Sequence, residues 1–323
     1  MQNARILVSI VTRNRPIMLK ELLHSLTNIA LPASTKVDFL VVENHSSKTL
    51  SGCIDTFASG MSESKVVYLL EVRIGISYSR NCALTYAIAN DYDFLVFIDD
   101  DERAEPEWLI KLFSEQQRGN LDIVGSPVWP KPEQCTLSFW QKFVWSGIQQ
   151  LSEYGELKTR RKCERGAADT IKVATGSWMG KLTFFRQTGL RFDTGLNLTG
   201  GEDWHLWTEA KSKGAKSGWA PDATVYETVP LCRLTLTYHF RRNRDHEATK
   251  FLIAYKANPR RAITGLPAKL ASRLWKLTVS VLSLPIKGPS AAISATMALG
   301  GIVGQIQGFI GKQSAHYKYT TGH

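Results

Sequence analysis

Short apolar runs rich in β-branched residues alternate with longer amphipathic stretches through the first 125 residues of the chain. This alternation predicts a mostly parallel β-sheet whose strands are joined by crossover helices. The predicted strands cover residues 5–11, 37–42, 65–70, 94–98 and 122–124. The predicted helices cover residues 16–28, 77–90 and 106–117. The pattern therefore indicates the α/β fold class, with helices flanking the sheet.

The pattern becomes less regular after this first part. Residues 126–170 are rich in Trp, Pro, Lys and Arg, and we interpret them as loops and short elements that cover the sheet. Order returns in residues 171–227, where the pattern predicts a helix that begins near Glu202 and ends at Gly214. We expect residues 1–230 to form one domain that divides at about residue 125.

Residues 231–323 differ in character and are predicted to form a basic, amphipathic helical tail. An Arg-rich amphipathic stretch extends to about Tyr255, and basic and apolar residues interleave after it. From residue 228 onward, 14 Lys and Arg residues accompany two acidic residues, whereas residues 1–227 contain 26 basic and 27 acidic residues. The formal charge of +11 therefore resides in the tail.

Two uncharged segments of the tail bear on membrane association. Residues 277–286 are too few to span a bilayer, and residues 288–311 are numerous enough but include six glycines and two glutamines. Lysines and arginines flank both segments, as is typical of helices that lie in an anionic membrane surface. We therefore expect a peripheral or monotopic protein rather than a spanning one. The alternative is that both segments are ordinary core helices.

Composition and cysteine usage narrow the remaining classes. A chain with 43% hydrophobic and 21% charged residues is not disordered, collagen-like or a coiled coil. The five cysteines are widely spaced without a C-x-x-C pair, which favours a reducing compartment over a zinc or disulfide site. We expect no signal peptide, because the first residues lack a long apolar stretch. Nucleic acid is disfavoured as a partner, because residues 1–227 are nearly neutral and show no recognition motif.

Four consecutive acids, Asp99, Asp100, Asp101 and Glu102, follow the apolar strand predicted at residues 94–98. Open α/β sheets bind their ligands at this carboxyl end of the strands. Adjacent carboxylates repel one another, so a bound cation would relieve the repulsion, and oxygen-only ligands favour Mg²⁺ or Mn²⁺. The alternative is a solvated turn before the next helix.

A second acidic motif, Gly200-Gly201-Glu202-Asp203-Trp204, opens the helix predicted at residue 202. The glycines permit the close approach of a ligand, and the tryptophan offers a stacking surface for a sugar. A general base fits this position. Acids in a first helical turn also stabilise the helix dipole, which is the structural alternative.

A cluster of arginines in the tail is a candidate anion site. Arg241, Arg242 and Arg244 lie close together in the sequence and are suited to neutralise a diphosphate. A solvated helix face near anionic lipid is the alternative for each of them.

Taken together, these motifs resemble those of family 2 glycosyltransferases of the GT-A fold, which are inverting enzymes that use nucleotide sugars. The chain carries the motifs in the family's order. They are Val11-Thr12-Arg13-Asn14-Arg15, Val41-Val42-Glu43-Asn44 for V-V-D-N, Gly75 with Arg80-Asn81 for G-x-x-x-x-R-N, Phe97 to Glu102 for D-x-D, and Phe192-Asp193 with Gly200 to Asp203 for F-D and G-G-E-D. Within the family, the chain is most similar to bacterial exopolysaccharide glucosyltransferases of the succinoglycan type.

The resemblance implies roles for individual residues. The half of the domain to about residue 125 would bind the donor, and the half after it would bind the acceptor. The donor-binding residues, which include two arginines of the tail, would be Thr12, Arg15, Glu43, Gly75, Arg80, Asn81, Asp99, Asp100, Arg241 and Arg244. Thr12 and Glu43 would hold the nucleotide base, and Arg80 would approach the ribose or the phosphates.

The implied metal ligands are Asp101 and Asp99, and Asp99 would also contact the ribose side. Asp203 would act as the general base, and Glu202 would hold or replace it. Trp178 and Trp204 are the candidate acceptor-binding residues.

The chain departs from the family's pattern at two positions. The family usually has Asp where Glu43 stands, and the longer side chain must shift either the base or itself. The close relatives have V-H-E-x-V-P where this chain has Tyr226 in place of the histidine. The spacing leaves open whether Tyr226 or His239 takes the place of that histidine.

The resemblance implies transfer of a hexose, with glucose as the expected sugar, from a UDP-sugar to a saccharide on a polyprenyl diphosphate. The reaction would serve exopolysaccharide or cell-surface polysaccharide synthesis at the cytoplasmic face of the bacterial inner membrane. Two alternatives stay open. A sugar nucleotidyltransferase would need a glycine-rich triphosphate loop, which residues 12–16 do not provide. A non-catalytic polysaccharide- or membrane-binding protein would need neither carboxylate cluster.

Overall fold

The computed structural model describes residues 4–174, 176–197 and 201–311 of the chain. Its strands are β1 (Ala4–Thr12), β2 (Thr35–Glu43), β3 (Val66–Leu70), β4 (Phe94–Asp99), β5 (Glu102–Ala104), β6 (Ile123–Gly125), β7 (Val128–Pro132), β8 (Ser177–Lys181), β9 (Ser217–Trp219) and β10 (Val225–Val229). Its helices are α1 (Pro16–Leu26), α2 (Ser51–Gly60), α3 (Ile76–Ala89), α4 (Trp108–Gly119), α5 (Phe139–Glu164), α6 (Leu182–Thr188), α7 (Glu202–Ser212), α8 (Leu236–Ala257), α9 (Pro259–Thr264), α10 (Leu266–Leu282), α11 (Leu284–Lys287) and α12 (Pro289–Phe309).

The central sheet has seven strands in the order β3-β2-β1-β4-β8-β6-β9. Strand β8 runs antiparallel to its neighbours β4 and β6, and the other pairs are parallel. The register places Thr12 beside Glu43 and Val11 beside Asp99, so β1, β2 and β4 end at one edge. The mostly parallel α/β sheet expected from the sequence is confirmed, and a small second sheet, β5-β10-β7, lies beyond its carboxyl edge.

Alternate residues of the buried strands supply two apolar layers, one on each face of the sheet. On β1, Ile6, Val8 and Ile10 pack into one layer, whereas Leu7 and Val11 pack into the other. Burial of both faces explains why these strands appear in the sequence as continuous apolar runs. The two layers hold the strand ends rigidly, and the loops at those ends therefore have a fixed base.

The interpretation of residues 126–170 as loops and short elements is wrong, because helix α5 occupies 26 of them. Ser138 caps the helix through the amide N–H of Gln141, whose side chain in turn accepts from the Ser138 amide. Few residues of α5 are buried; Val144 and Gly147 are the ones below the surface. A helix with so few buried residues lacks the repeat of apolar residues every three or four positions by which a helix is predicted from sequence.

The tail is helical, as expected, and its long helices pack against one another. Helix α12 lies so close to α8 that a side chain at Gly300 or Gly304 would overlap the carbonyl oxygen of Phe240 or Arg244. The same helix meets α5, because Gly147 contacts Pro289. In the described part of the chain, one helix, Pro289–Phe309, is long and apolar enough to cross a membrane. Of its most apolar 18-residue stretch, 39% is buried inside the protein.

Candidate active site

A cleft of about 400 Å³ opens at the carboxyl edge of the central sheet. The ends of β1 and β4 form its floor, the first turns of α3 and α7 form one wall, and residues from β10 and α8 form the other. Two glycines shape the entries to the helices: Gly75 precedes α3 with φ 147°, and Gly201 precedes α7 with φ 90°. Residues with side chains rarely adopt these φ values, so the glycines permit both helices to begin at the cleft.

The floor of the cleft is a buried network of acids and one arginine. The Thr12 hydroxyl donates to Asp100 over 2.8 Å. The Arg15 guanidinium pairs with Asp100 at 2.8 Å and with Asp101 at 3.1 Å. Burial raises the pKa of Asp100 to about 6, although Arg15 opposes the shift. Two of the acids that follow β4 are therefore held in a buried network of hydrogen bonds and ion pairs, and they do not form a solvated turn.

Arg80 connects the two acidic motifs. Its guanidinium pairs with Glu202 at 2.5 Å and with Asp99 at 3.2 Å. Burial works to lower the pKa of Arg80, but the charges of Asp99 and Glu202 outweigh it and raise that pKa. Asp203, the next residue on α7, also lines the cleft, and its carboxylate accepts from the amide N–H of Trp204 over 2.6 Å. One buried cation thus fixes the distance between motifs that are about a hundred residues apart in sequence.

The second wall supplies two arginines, of which Arg242 belongs to the cluster noted in the sequence and Arg233 does not. Arg233, in the turn before α8, lies 3.0 Å from Glu227 and 3.6 Å from Asp101. Tyr238 and Arg242, one turn apart on α8, face the cleft as well. Burial raises the pKa of Glu227, which Arg233 counteracts. The start of the tail is therefore part of this cleft.

Acids outnumber bases around the cleft. Among the described residues, seven acidic and five basic side chains line it: Asp99, Asp100, Asp101, Glu102, Glu202, Asp203, Glu227, Arg13, Arg15, Arg80, Arg233 and Arg242. Burial also raises the pKa of Glu102 and of Glu202, which favours their neutral forms. The cleft therefore presents both carboxylate oxygens and guanidinium groups to a ligand.

The comparisons with known proteins bear on this site. The model of the family described as glycosyl transferase family 2 matches residues 7–180, which is more than half of the chain and includes both β1 and the acids after β4. The chain belongs to glycosyl transferase family 2. It is also 26% identical over 319 residues to the succinoglycan biosynthesis protein ExoM of Rhizobium meliloti (strain 1021), covering 94% of this chain and 92% of that protein.

Solved structures show the same fold. The mannosyltransferase PcManGT from Pyrobaculum calidifontis, in complex with GDP-Man and Mn²⁺, matches with a TM-score of 0.61 at 17% identity, covering 94% of this chain and 86% of that one. S. aureus TarS 1-349 in complex with UDP-GlcNAc matches with a TM-score of 0.51 at 13% identity, covering 94% and 91% of the two chains. This family 2 glycosyl transferase therefore has the GT-A fold that its sequence implied.

Nine of the predicted site residues lie on the cleft of this glycosyl transferase: Thr12, Arg15, Gly75, Arg80, Asp99, Asp100, Asp101, Glu202 and Asp203. They come from four places in the sequence, and the sheet register and the two helix starts bring them together. Their placement agrees with the predicted roles, which remain predictions. Gly200 of the G-G-E-D motif lies outside the described residues.

Two predicted donor-binding residues lie beneath or beside the cleft. Glu43 is 1% exposed and accepts from the Thr49 amide at 3.0 Å and from the hydroxyls of Thr49 and Tyr68. Asn81 exchanges hydrogen bonds with the backbone of Phe192 at 2.8 and 2.9 Å. Both side chains hold neighbouring segments together, so we correct their predicted donor contacts to supporting ones.

The arginine prediction needs a similar correction. Arg244 pairs with Asp245 at 2.8 Å, its backbone lies against α12, and Arg241 is exposed; neither is among the residues that line the cleft. Helical geometry separates them, because neighbouring residues on a helix point about 100° apart. Arg242 takes the position instead, and Arg233 joins it from the preceding turn. No motif surrounds Arg233, so the sequence held no signal for it.

The predicted acceptor residues have different environments. Trp178 is 2% exposed and packs against Phe97, with ring centroids 5.6 Å apart. Contact of Trp178 with the acceptor stays a prediction, and the side chain also lines a small pocket together with Asp203. Trp204 is half-buried at the start of α7, next to Asp203, and the Lys172 ammonium lies 5.3 Å from its ring centroid. Trp204 stays a candidate.

Neither residue considered as a substitute for the family's histidine lines the cleft. The Tyr226 hydroxyl donates to Glu105 over 2.8 Å. His239 is largely buried on α8, and burial, with Arg242 nearby, lowers its pKa to about 4. The hypothesis that Tyr226 or His239 takes the place of that histidine gains no support from this arrangement.

The residues at the cleft fit a divalent cation. In the described ranges, no group of three or more His, Cys, Asp or Glu side chains is arranged to hold an ion by itself. Asp99 and Asp101 nevertheless present hard carboxylate oxygens, and the Asp99 side chain is 39% exposed. Mg²⁺ and similar ions commonly take one or two carboxylates and complete their shell with substrate phosphates and water. Two acids at this place are therefore sufficient.

Proposed function

We propose that the protein is an inverting, metal-dependent hexosyltransferase that moves a sugar, with glucose as our choice, from a UDP-sugar to a lipid-linked saccharide. The observation that carries the proposal is the Arg80 bridge, which holds the acids after β4 and the acids of α7 around one cleft. A transferase needs both sets together, because one must hold the donor and the other must activate the acceptor. Similarity to ExoM supports exopolysaccharide synthesis as the setting.

The charge around the cleft supports a metal-bound donor. A nucleoside diphosphate is an anion, and the carboxylates of Asp99 and Asp101 would repel it unless a cation lay between them. A Mg²⁺ or Mn²⁺ ion held by Asp101 and Asp99 would act as a Lewis acid toward the leaving diphosphate. Arg15, Arg233 and Arg242 lie on the same floor and wall, where a guanidinium can stabilise the negative charge that develops during bond cleavage.

The two acids at the start of α7, Glu202 and Asp203, have different roles in this proposal. Glu202 is 6% exposed and engaged by Arg80, so it positions the helix start and is poorly placed to accept a proton from a substrate. Asp203 lines the cleft and accepts from an amide N–H in its own turn. We assign Asp203 as the general base that takes the proton of the acceptor hydroxyl during a single displacement, which inverts the anomeric carbon.

The tail supports a lipid-linked acceptor. Residues 228–323 carry 14 basic residues against two acids, and the tail begins at the cleft through Arg233 and Arg242. An enzyme with such a tail suits a substrate that lives at an anionic membrane surface, such as a saccharide on a polyprenyl diphosphate. We place the protein at the cytoplasmic face of the bacterial inner membrane. We keep the boundary near residue 230 as a proposal, since β10 ends at Val229 and helices follow.

The experiment is a calorimetric titration of the protein with UDP, with and without Mn²⁺, repeated with Asp101→Ala. We expect UDP to bind in the presence of Mn²⁺. Removal of Mn²⁺ by chelation, or the Asp101→Ala substitution, should weaken the affinity for UDP by about tenfold or more. Thr159→Ala, a change on α5 outside the cleft lining, serves as the control and should bind as the parent does. UDP affinity that depends on neither the metal nor Asp101 would contradict the proposed donor site.

A further inference from the structure

Helix α10 leaves several large apolar side chains exposed among its exposed lysines. Ser280 is 7% exposed and faces its neighbours, whereas Trp275 is 72% and Leu282 is 73% exposed. Ile286 of α11 follows with 87% exposure. Helices at a water interface place apolar residues inward and polar residues outward. An outward apolar face of this size indicates a contact with something other than water.

A second exposed apolar group lies at the start of α5. Phe139 is 74% and Trp140 is 71% exposed, and their rings pack edge to face with centroids 5.3 Å apart. Two adjacent aromatic residues on the surface keep a substantial apolar area in water. Nothing in the sequence pattern linked this segment to the tail.

Helices α5 and α10, which carry most of these exposed residues, both pack against α12. Gly147 of α5 packs directly on Pro289 and near Ile293 of α12. Phe139 is eight residues from Gly147, or about 12 Å of helix, and Ile286 is three residues from Pro289. Both exposed groups therefore flank the same helix crossing. We call them together the composite surface, defined by Phe139, Trp140, Trp275, Leu282 and Ile286.

The charges around the composite surface identify its occupant. The sequence contains no acidic residue between positions 134 and 152 or from position 266 onward. The exposed lysines in these stretches are Lys142, Lys269, Lys276 and Lys287. Lysines around an apolar face are attracted by anionic lipid headgroups, at about 1 kcal/mol each. A second copy of the chain would bring lysine against lysine, so the charge disfavours a symmetric dimer through this surface.

Helix α12, although apolar, is not the element that enters the lipid. Its Gly300 and Gly304 lie against the backbone of α8, at Phe240 and Arg244, too close for any side chain. Gln305, in the same helix, donates to the buried Glu247 of α8 over 2.9 Å. A helix that crossed the bilayer alone would lose these contacts and expose Glu247.

We propose that the composite surface is the membrane-docking face of the protein, seated in an anionic bilayer with Trp140 and Trp275 at the headgroup level. The proposal rests on the proposed function and deepens it, since it names the surface that brings the enzyme to a lipid-linked acceptor. Tryptophan side chains favour the boundary between headgroups and acyl chains. Contact through α5 as well as α10 fixes an orientation, which a single amphipathic helix does not.

The test is co-sedimentation of the full chain with vesicles of phosphatidylcholine, alone or mixed with phosphatidylglycerol. We expect binding to the mixed vesicles, and we expect both Phe139→Ser/Trp140→Ser and Leu282→Ser/Ile286→Ser to weaken it by about tenfold or more. The matched control is Tyr154→Ser/Leu157→Ser, because these residues are 68% and 48% exposed on the same helix but lie on the other side of Gly147, next to Glu153 and Glu156. The control should bind as the parent does.

Three outcomes would overturn the proposal. The first is unchanged vesicle binding by the α5 variant, and the second is equal binding of the parent chain to neutral and anionic vesicles. The third is a parent chain that forms a dimer and binds no vesicles, with the substitutions converting the dimer to a monomer. UDP titration of the same variants separates this proposal from the donor site, because the composite surface is not part of the cleft. Normal UDP binding without vesicle binding by the parent chain would refute only the docking face.

Discussion

At the scale of single residues, the site depends on charges that are buried in pairs. Arg80 is 4% exposed and neutralises Glu202 and Asp99 from two sides. Taking three charges out of water is costly unless each is paired, so removal of one leaves the others uncompensated. The sequence could predict the acids, because they follow an apolar strand and open a helix. It could not predict the partners, because Arg80 lies 122 positions from Glu202.

Arg80→Met should therefore destabilise the protein strongly. We expect a loss of about 3–5 kcal/mol in the free energy of unfolding, because the buried carboxyl of Glu202 would lose its charged partner, whereas the 39% exposed Asp99 would stay solvated. The matched control is Arg103→Met, which breaks the ion pair with Glu21, where the two side chains are 39% and 44% exposed. An exposed pair contributes about 1 kcal/mol at most. Urea denaturation measures both, and equal losses in the two variants would contradict the buried bridge.

At the scale of elements, glycine spacing decides how the tail packs. Gly300 and Gly304 are one turn apart on α12 and meet Phe240 and Arg244, one turn apart on α8, so the two helices run parallel in close contact. Small residues at this spacing let helix backbones approach each other. The sequence showed six glycines in an apolar segment and left open whether that segment spans, lies in or avoids a membrane. The packing of α12 against α8 explains Gly300 and Gly304, because a larger side chain at either position would overlap the backbone of α8.

Gly304→Ala tests this packing. The new methyl group would overlap the carbonyl oxygen of Arg244, so we expect α12 to shift and the free energy of unfolding to fall by about 1–3 kcal/mol. Gly155→Ala is the matched control on α5, where no atom lies within 4 Å of the added carbon. That change should be neutral or stabilising by up to about 1 kcal/mol, because alanine favours a helix over glycine. Thermal unfolding of both variants checks the contrast. Equal behaviour would refute the close approach of α8 and α12.

At the scale of the whole molecule, the cleft needs parts from distant regions of the chain. The sheet edge and α7 were predictable, because strand ends and helix starts follow from local patterns. The second wall was not, because Arg233 and Arg242 reach the cleft only when the tail folds back along the main domain. Helix α5 escaped prediction for the same reason: its buried stripe is narrow, and its contact with α12 depends on residues more than a hundred positions away.

The most direct test of the central claim is the rate at which Asp203→Asn releases UDP from UDP-glucose, with bacterial membranes as the acceptor and Mn²⁺ present. We predict a fall of about 10²–10⁴-fold, because the amide cannot take the proton of the acceptor hydroxyl. UDP affinity measured on the same sample should match that of the parent chain, since Asp203 belongs to the acceptor side of the cleft. An Asn variant that retains the parent's rate would contradict the assignment of Asp203 and, with it, the catalytic role of the cleft.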